Sequence, residues 1–342
     1  MSMIFLLIFL AVPVSALELE IPDVPGTAQG YMPNPESDFG AGLWQVIRKA
    51  VAAVRPDLQE AARVCVGIGC GAALLSVFRF LPGQSAGVTE LTCVAVVSVL
   101  LLSSTGSMIR LAENTVKEIS EYARLFFPVL TTAMAAEGKG GTSAALYAGT
   151  MICNTLLSSA VTGLLIPVVY LYLALAIGCA MTDQEILGKI LTSIRQFVSW
   201  GMKMILYAFT GYMAISGAIS GTADATALKM TKMAISGMVP AIGGILANAS
   251  EAVLIGAAAA KQAAGLYGVF AFLALWLKPF LTIGSHYLVL KLTGAICGIF
   301  DVRKVSDLLD RFGVAMGILL AMTGTVSVML MISITCFLKG VG

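Results

Sequence analysis

Charge and histidine are what this chain has least of. Asp, Glu, Lys and Arg make up 12% of its 342 residues, against roughly a quarter in soluble domains. So few polar side chains cannot cover a water-facing surface. The single histidine, His286, leaves no material for a histidine-based triad or a histidine-rich metal site. Cys65, Cys70, Cys93, Cys153, Cys179, Cys297 and Cys336 all lie in apolar stretches and show no C-x-x-C spacing. They read as packing residues, not as a disulfide framework or zinc site. No H-E-x-x-H, P-loop, nucleophile elbow or G-x-G-x-x-G follows a strand pattern. The expectation is therefore no enzyme activity, no metal and no cofactor. The net charge of +2 is dispersed, with no basic patch interleaved with aromatics, so nucleic acid is not an expected partner.

What the chain does have is apolar bulk. Hydrophobic residues make up 58% of it, which points to an all-α polytopic membrane protein embedded in a lipid bilayer. A bilayer core takes about 20 residues as helix. Uncharged or nearly uncharged blocks lie at 64–78, 91–109, 125–136, 204–223, 236–260, 262–277, 279–299 and 312–338. No charge occurs between Lys139 and Asp183, a run of 43 residues. As one helix it would be about 64 Å long, twice the core thickness, so two spans are expected with a break near Thr162-Gly163 or at Pro167. The block 125–136 is short and holds Pro128, which suggests a broken or re-entrant piece. The central expectation is about eight transmembrane helices.

Three charged connectors are amphipathic. Ile186, Leu187, Ile190, Leu191, Ile194, Phe197 and Val198 form one stripe, Val116, Ile119, Tyr122 and Phe126 a second, and Val302, Val305, Leu308, Leu309 and Phe312 a third. Such helices are expected along the membrane interface. Lys and Arg fall in nearly every connector, so charge asymmetry gives no orientation, and no internal repeat stands out.

The N-terminus, "MSMIFLLIFLAVPVSA", has an apolar core and ends in small residues, as a signal peptide over residues 1–16 would. It lacks basic residues at its start. Residues 17–62 form an extracytoplasmic segment. Pro22, Pro25, Pro33 and Pro35 predict an exposed linker. An amphipathic helix from Asp38 follows, with Leu43, Ile47, Val51, Val54 and Leu58 as its stripe. The membrane domain is assigned to 63–342.

The stretch "SGMVPAIGGILANASEAVL" (Ser236 to Leu254) places a carboxylate among apolar residues. A charge at the middle of a membrane helix costs about 2.5–3.5 kcal/mol, so it normally faces a bundle interior or a water-filled path. On a helical wheel Gly237, Pro240, Gly244, Asn248, Glu251 and Gln262 share a face. This small, polar stripe reads either as a pathway lining or as a packing surface. In the second reading Glu251 is protonated or pairs with Lys229, Lys232 or Lys261. Asp224 reads as the cap of a helix beginning there, and His286 as a packed, hydrogen-bonded side chain. Gly67/Gly71, Gly217/Gly221, Gly294/Gly298 and Gly313/Gly317 are G-x-x-x-G pairs suited to close helix packing.

Two stretches carry a resemblance. "DATALKMTKMAISGMVPAIGGILANASEAVLIGAAAAKQAAGLYGV" (Asp224–Val269) and "GLLIPVVYLYLALAIGCAMTD" (Gly163–Asp183) resemble the stage III sporulation protein AE family of endospore-forming bacteria. The similarity extends from about residue 90 to the C-terminus. It rests on Lys229 and Lys232, then Pro240, Gly243 and Gly244, then Glu251 and Lys261, in that order.

The resemblance implies a non-enzymatic membrane component of a mother-cell assembly in the membrane around the engulfed forespore. That assembly resembles specialised secretion systems. Its partners would be the other membrane proteins of the stage III sporulation A operon and, across the intermembrane space, the forespore's stage II sporulation protein Q. The AE member would form or support the pore. Two features depart from the family pattern, the short region before the first span and the signal without basic residues. The rival reading is a stand-alone secondary transporter that couples ions or protons through Glu251. A pure assembly scaffold is the third.

Overall fold

The computed structural model describes residues 21–34, 38–78, 86–182, 184–238 and 243–339. For 75–78, 86, 216–238, 243–257 and 260 it describes only the backbone. Helices dominate: α1 (Gly26–Gln29), α2 (Phe39–Phe78), α3 (Ala86–Ala136), α4 (Gly140–Ala160), a π-turn (Val161–Leu165), α5 (Ile166–Thr182), α6 (Glu185–Met238), α7 (Gly243–Ile299) and α8 (Arg303–Lys339). No strand occurs among the described residues.

Among the described residues four segments are long and apolar enough to cross a membrane: Gly87–Ala136, Gly140–Thr182, Lys261–Ile299 and Arg303–Lys339. The charge-bounded blocks predict about eight; part of the difference arises because neighbouring blocks fuse, and the blocks 64–78, 204–223 and 236–260 reach into residues outside those fully described. The blocks 91–109 and 125–136 belong to α3, which runs through Pro128. Likewise 262–277 and 279–299 belong to α7, which runs through Pro279. A proline removes one backbone donor and crowds the preceding turn. In a long helix held by neighbours, that produces a local adjustment and no chain reversal.

The uncharged run after Lys139 makes the same point. It forms one continuous path of 43 residues with a π-turn at the predicted break. There the Ile166 N–H donates to the Val161 carbonyl, five residues back. Pro167 has no N–H for the Gly163 carbonyl, and the wider turn absorbs the misfit.

The amphipathic stripes are also placed differently from expectation. Val116, Ile119, Tyr122 and Phe126 are almost completely buried inside α3, and Val302, Val305, Leu308, Leu309 and Phe312 are buried at the turn into α8 and along it. Both stripes face the bundle core, not a bilayer surface. Only the stripe on α6 is split, with Leu191 and Val198 buried and Ile186, Ile190 and Phe197 exposed. On α2 the buried face is Val46, Ala50, Val54, Ala61, Cys65, Ile68 and Ala72, while Val51 and Leu58 of the expected stripe are exposed. The period was right and the phase shifted, because α7 decides which side of α2 is covered.

The expected exposed linker docks on the bundle. Val24 and Ala28 are buried, the Thr27 hydroxyl donates to Glu118 at 2.8 Å and the Lys49 ammonium to the Met32 carbonyl at 2.7 Å. Residues 1–16, the expected signal peptide, lie outside the described residues.

An antiparallel hairpin of α7 and α8 forms the centre, with α2 and α3 along α7 and with α4, α5 and α6 completing the bundle. Two of the G-x-x-x-G pairs work here. A Cβ at Gly294 would sit 3.5 Å from Leu309 and from the Ser306 carbonyl, and one at Gly313 would sit 3.2 Å from Lys291. The Ser306 hydroxyl also donates to the Gly294 carbonyl at 2.8 Å. Gly67 and Gly71 have nothing within 4 Å, so that pair joins no described helices. Gly217 and Gly221 fall where only the backbone is described. The outside of the bundle remains apolar, with Val99, Ile152, Leu164, Leu171 and Leu292 exposed. A surface of that kind suits lipid.

Candidate functional site

The sequence stripe spans two helices. Gly237, Lys229 and Lys232 lie in α6, and Gly244, Asn248, Glu251 and Gln262 in α7. Pro240 and the side chains from Gly237 to Glu251 lie outside the described residues. Asp224 starts no helix, since α6 runs through it from Glu185 to Met238. The capping expectation is therefore corrected: glycine and small residues alone do not end a helix.

Among the candidate charge partners Lys261 is the one whose side chain is described, and its own partner is unexpected. Its ammonium lies 2.6 Å from the Glu137 carboxylate, with the side chains only 8% and 10% exposed. It cannot also serve Glu251. Ten residues apart on the continuous helix α7, the two positions are about 15 Å apart along the axis. Gln262, the next residue, is exposed.

Glu137 is held by the turn between α3 and α4. The Gly138 N–H donates to the Ala135 carbonyl at 2.9 Å and the Lys139 N–H to the Met134 carbonyl at 3.3 Å. Gly138 takes φ 83°, the left-handed conformation that closes this type of helix end. The turn thus fixes a carboxylate at the end of α3, and packing of α3 on α7 brings Lys261 to it. The α7–α8 turn repeats the device with Asp301 at φ 58°.

Beyond the ion pair lies a group of aromatic rings. A Cβ on Gly268 would overlap the Phe126 ring, and one on Gly265 would overlap Leu338. Tyr122 and Phe126 stack at 5.7 Å, and Phe272 meets Tyr122 edge-on at 5.2 Å. Phe127 and Phe337 extend the cluster at 5.6 Å. These rings form one cluster within a mostly aliphatic interior.

Polar contacts cross this interior at a few points. Ser120 of α3 donates to the Asn154 side-chain oxygen of α4 at 3.2 Å, and the Asn154 amide donates back to the Ser120 carbonyl at 3.3 Å. Thr150 of α4 donates to the Ser333 hydroxyl of α8 at 3.0 Å. Thr282 of α7 donates to Asp57 of α2 at 3.1 Å. His286 is held as expected, with Nδ1 3.0 Å from the Thr282 carbonyl. Asp57 thus reaches Thr282, the residue four positions before His286 on α7.

The chain matches the profile of the stage III sporulation protein AE family over residues 64–340. This chain belongs to that family. The match contains every described contact above except those of the docked N-terminal segment and Asp57. A relative in Bacillus subtilis (strain 168), stage III sporulation protein AE, is 24% identical over 247 residues. That stretch covers 70% of this chain and 60% of the relative, so the chain aligns with under two thirds of the relative's length. No solved structure matches.

Glu137 was not singled out from the sequence. Its signal was present in "EGKG", an acid directly before a helix-ending glycine, and in the isolation of Lys261 in an otherwise uncharged block.

Proposed function

We propose that this AE-family chain is a non-enzymatic membrane subunit of the complex that joins the mother cell to the forespore during endospore formation. In this reading it sits in the mother-cell membrane around the forespore. Its partners are the other membrane proteins of the stage III sporulation A operon and, through the complex, the forespore's stage II sporulation protein Q.

The observation that carries this reading is the family match across residues 64–340. Four helices of 50, 43, 39 and 37 residues with apolar character support membrane insertion. The closely packed core described around Phe126, Phe127 and Phe272 supports a scaffold role for the α3–α7–α8 part of the chain. The sequence stripe from Gly237 to Glu251 is the stretch proposed to line a conduit or to contact a neighbouring subunit.

Deleting the gene in the chain's own endospore-forming host tests the proposal. The expected result is arrest after engulfment, with heat-resistant spores reduced by orders of magnitude. Normal spore yield from the deletion strain would sink it. A single purified chain that moved a small solute across vesicles would favour a transporter instead.

A further inference from the structure

A cavity of about 270 Å³ opens between α6, α7 and α8, away from the Lys261–Glu137 pair. Residue pairs from three helices are among those that line it. Arg195 and Ser199 come from α6, Tyr287 and Lys291 from α7, and Gly317 and Ala321 from α8. Each pair is four residues apart and so lies on one helix face. The floor is low because α8 contributes small residues there; a Cβ on Gly317 would lie 3.7 Å from the Tyr287 ring.

Four donors therefore line one space. Lys291 is engaged by Asp310, with Nζ 2.9 Å from the carboxylate and 3.4 Å from the carbonyl. Arg195 and Ser199 are exposed at the mouth of this space and Tyr287 is half-buried; among the described residues none of the three donates to a protein acceptor. Donors of this kind around a space of this size suit a compact oxyanion, and an Arg guanidinium matches phosphate geometry best.

Position selects the source of that anion. The α7–α8 turn and the start of α8 carry Asp301, Arg303, Lys304, Asp307, Asp310 and Arg311. The cavity begins at Val314, about 4.5 Å along the helix from Arg311. A charged block beside an apolar span marks the headgroup level of a bilayer. Apolar Val198 and Ile318 also line the space, and exposed Phe197 and Trp200 flank it on α6. Basic pockets between membrane helices at this depth suit anionic headgroups.

We infer that this cavity binds the phosphate of an anionic phospholipid, with Arg195, Ser199 and Tyr287 as donors and the acyl chains along α6. The inference requires only that α7 and α8 lie in a bilayer, not that the chain acts in sporulation.

The full chain, purified in an uncharged detergent, is titrated with dioleoyl phosphatidylglycerol, dioleoyl phosphatidylcholine or inorganic phosphate. Thermal unfolding and retained lipid by native mass spectrometry are read. Phosphatidylglycerol should half-saturate at a concentration about five- to tenfold below phosphatidylcholine. Arg195→Gln and the cavity-filling Ala321→Leu should erase that preference, and Ser199→Ala should weaken it. Lys117→Gln, which removes one positive charge from an exposed position on α3, a helix that does not line the cavity, should retain it. Far-UV circular dichroism shows whether each variant keeps its helicity, and Ser199→Ala tests the site without altering core packing. The inference is overturned if Arg195→Gln and Ser199→Ala keep the full preference, or if Lys117→Gln loses it equally. Stabilisation by inorganic phosphate as strong as by the lipid would overturn the lipid assignment.

Discussion

Glu137 and Lys261, separated by 124 positions in the chain, meet at 2.6 Å in a site almost closed to solvent. Removing one member of such a pair leaves an uncompensated buried charge and costs about 3–5 kcal/mol. Glu137→Gln and Lys261→Met should each lower the melting temperature of the purified chain sharply. The double variant Glu137→Leu/Lys261→Met should recover much of the loss, because well-packed apolar residues often replace a buried pair without penalty. A double variant no more stable than either single one would show that the pair is not the coupling unit.

Gly138 should be sensitive for a backbone reason. At φ 83° an alanine pays about 1–2 kcal/mol that glycine does not. Gly138→Ala should therefore reduce thermal stability, and less so in the background Glu137→Leu/Lys261→Met, where the turn no longer has to aim a carboxylate. Equal losses in both backgrounds would show that the turn and the ion pair act independently.

Two glycines should respond in opposite directions to the same substitution. Gly268→Ala drives a methyl into the Phe126 ring, and overpacking of this kind typically costs about 1–3 kcal/mol. Gly67 has nothing within 4 Å, so Gly67→Ala should be neutral or gain up to about 1 kcal/mol from helix propensity. Melting temperatures of the two variants, measured side by side, decide the point.

The Ser120–Asn154 contact links α3 to α4 inside the bundle. A double-mutant cycle with Ser120→Ala and Asn154→Ala should give a coupling near 0.6 kcal/mol, and at most about 1.7 kcal/mol, as for other hydrogen bonds between membrane helices. Additive losses would mean that the two side chains contribute only through packing.

Glu251 requires a cellular readout. If the stripe ending there lines a conduit or binds a neighbouring subunit, Glu251→Leu should depress heat-resistant spore yield at unchanged protein abundance. Normal yield at normal abundance would remove the pathway role and leave the scaffold intact.

Much of this could be read from residues alone. Low charge and abundant apolar residues dictate helices in lipid, because only helices or closed barrels satisfy the backbone there. The 3.6-residue period located the helices, and Pro167 with Thr162-Gly163 marked the irregularity that became a π-turn. The order Lys229, Lys232, Pro240, Gly243, Gly244, Glu251 pointed to the family.

Other features belong to the tertiary structure. A wheel gives the width of an apolar face but not its neighbour, so α2 turned Val46, Ala50 and Ala61 inward and left Val51 and Leu58 outside. Charge-bounded blocks locate apolar segments but not chain reversals, so prolines at 128, 167 and 279 adjusted long helices and did not divide them. Lys261 could have paired with any acid by charge alone. Its choice of Glu137 over Glu251 follows from distance, since a continuous helix holds Glu251 about 15 Å away while the packing of α3 on α7 brings Glu137 into contact. Helical period is a property of neighbours in sequence, whereas the partner of a buried charge is a property of neighbours in space.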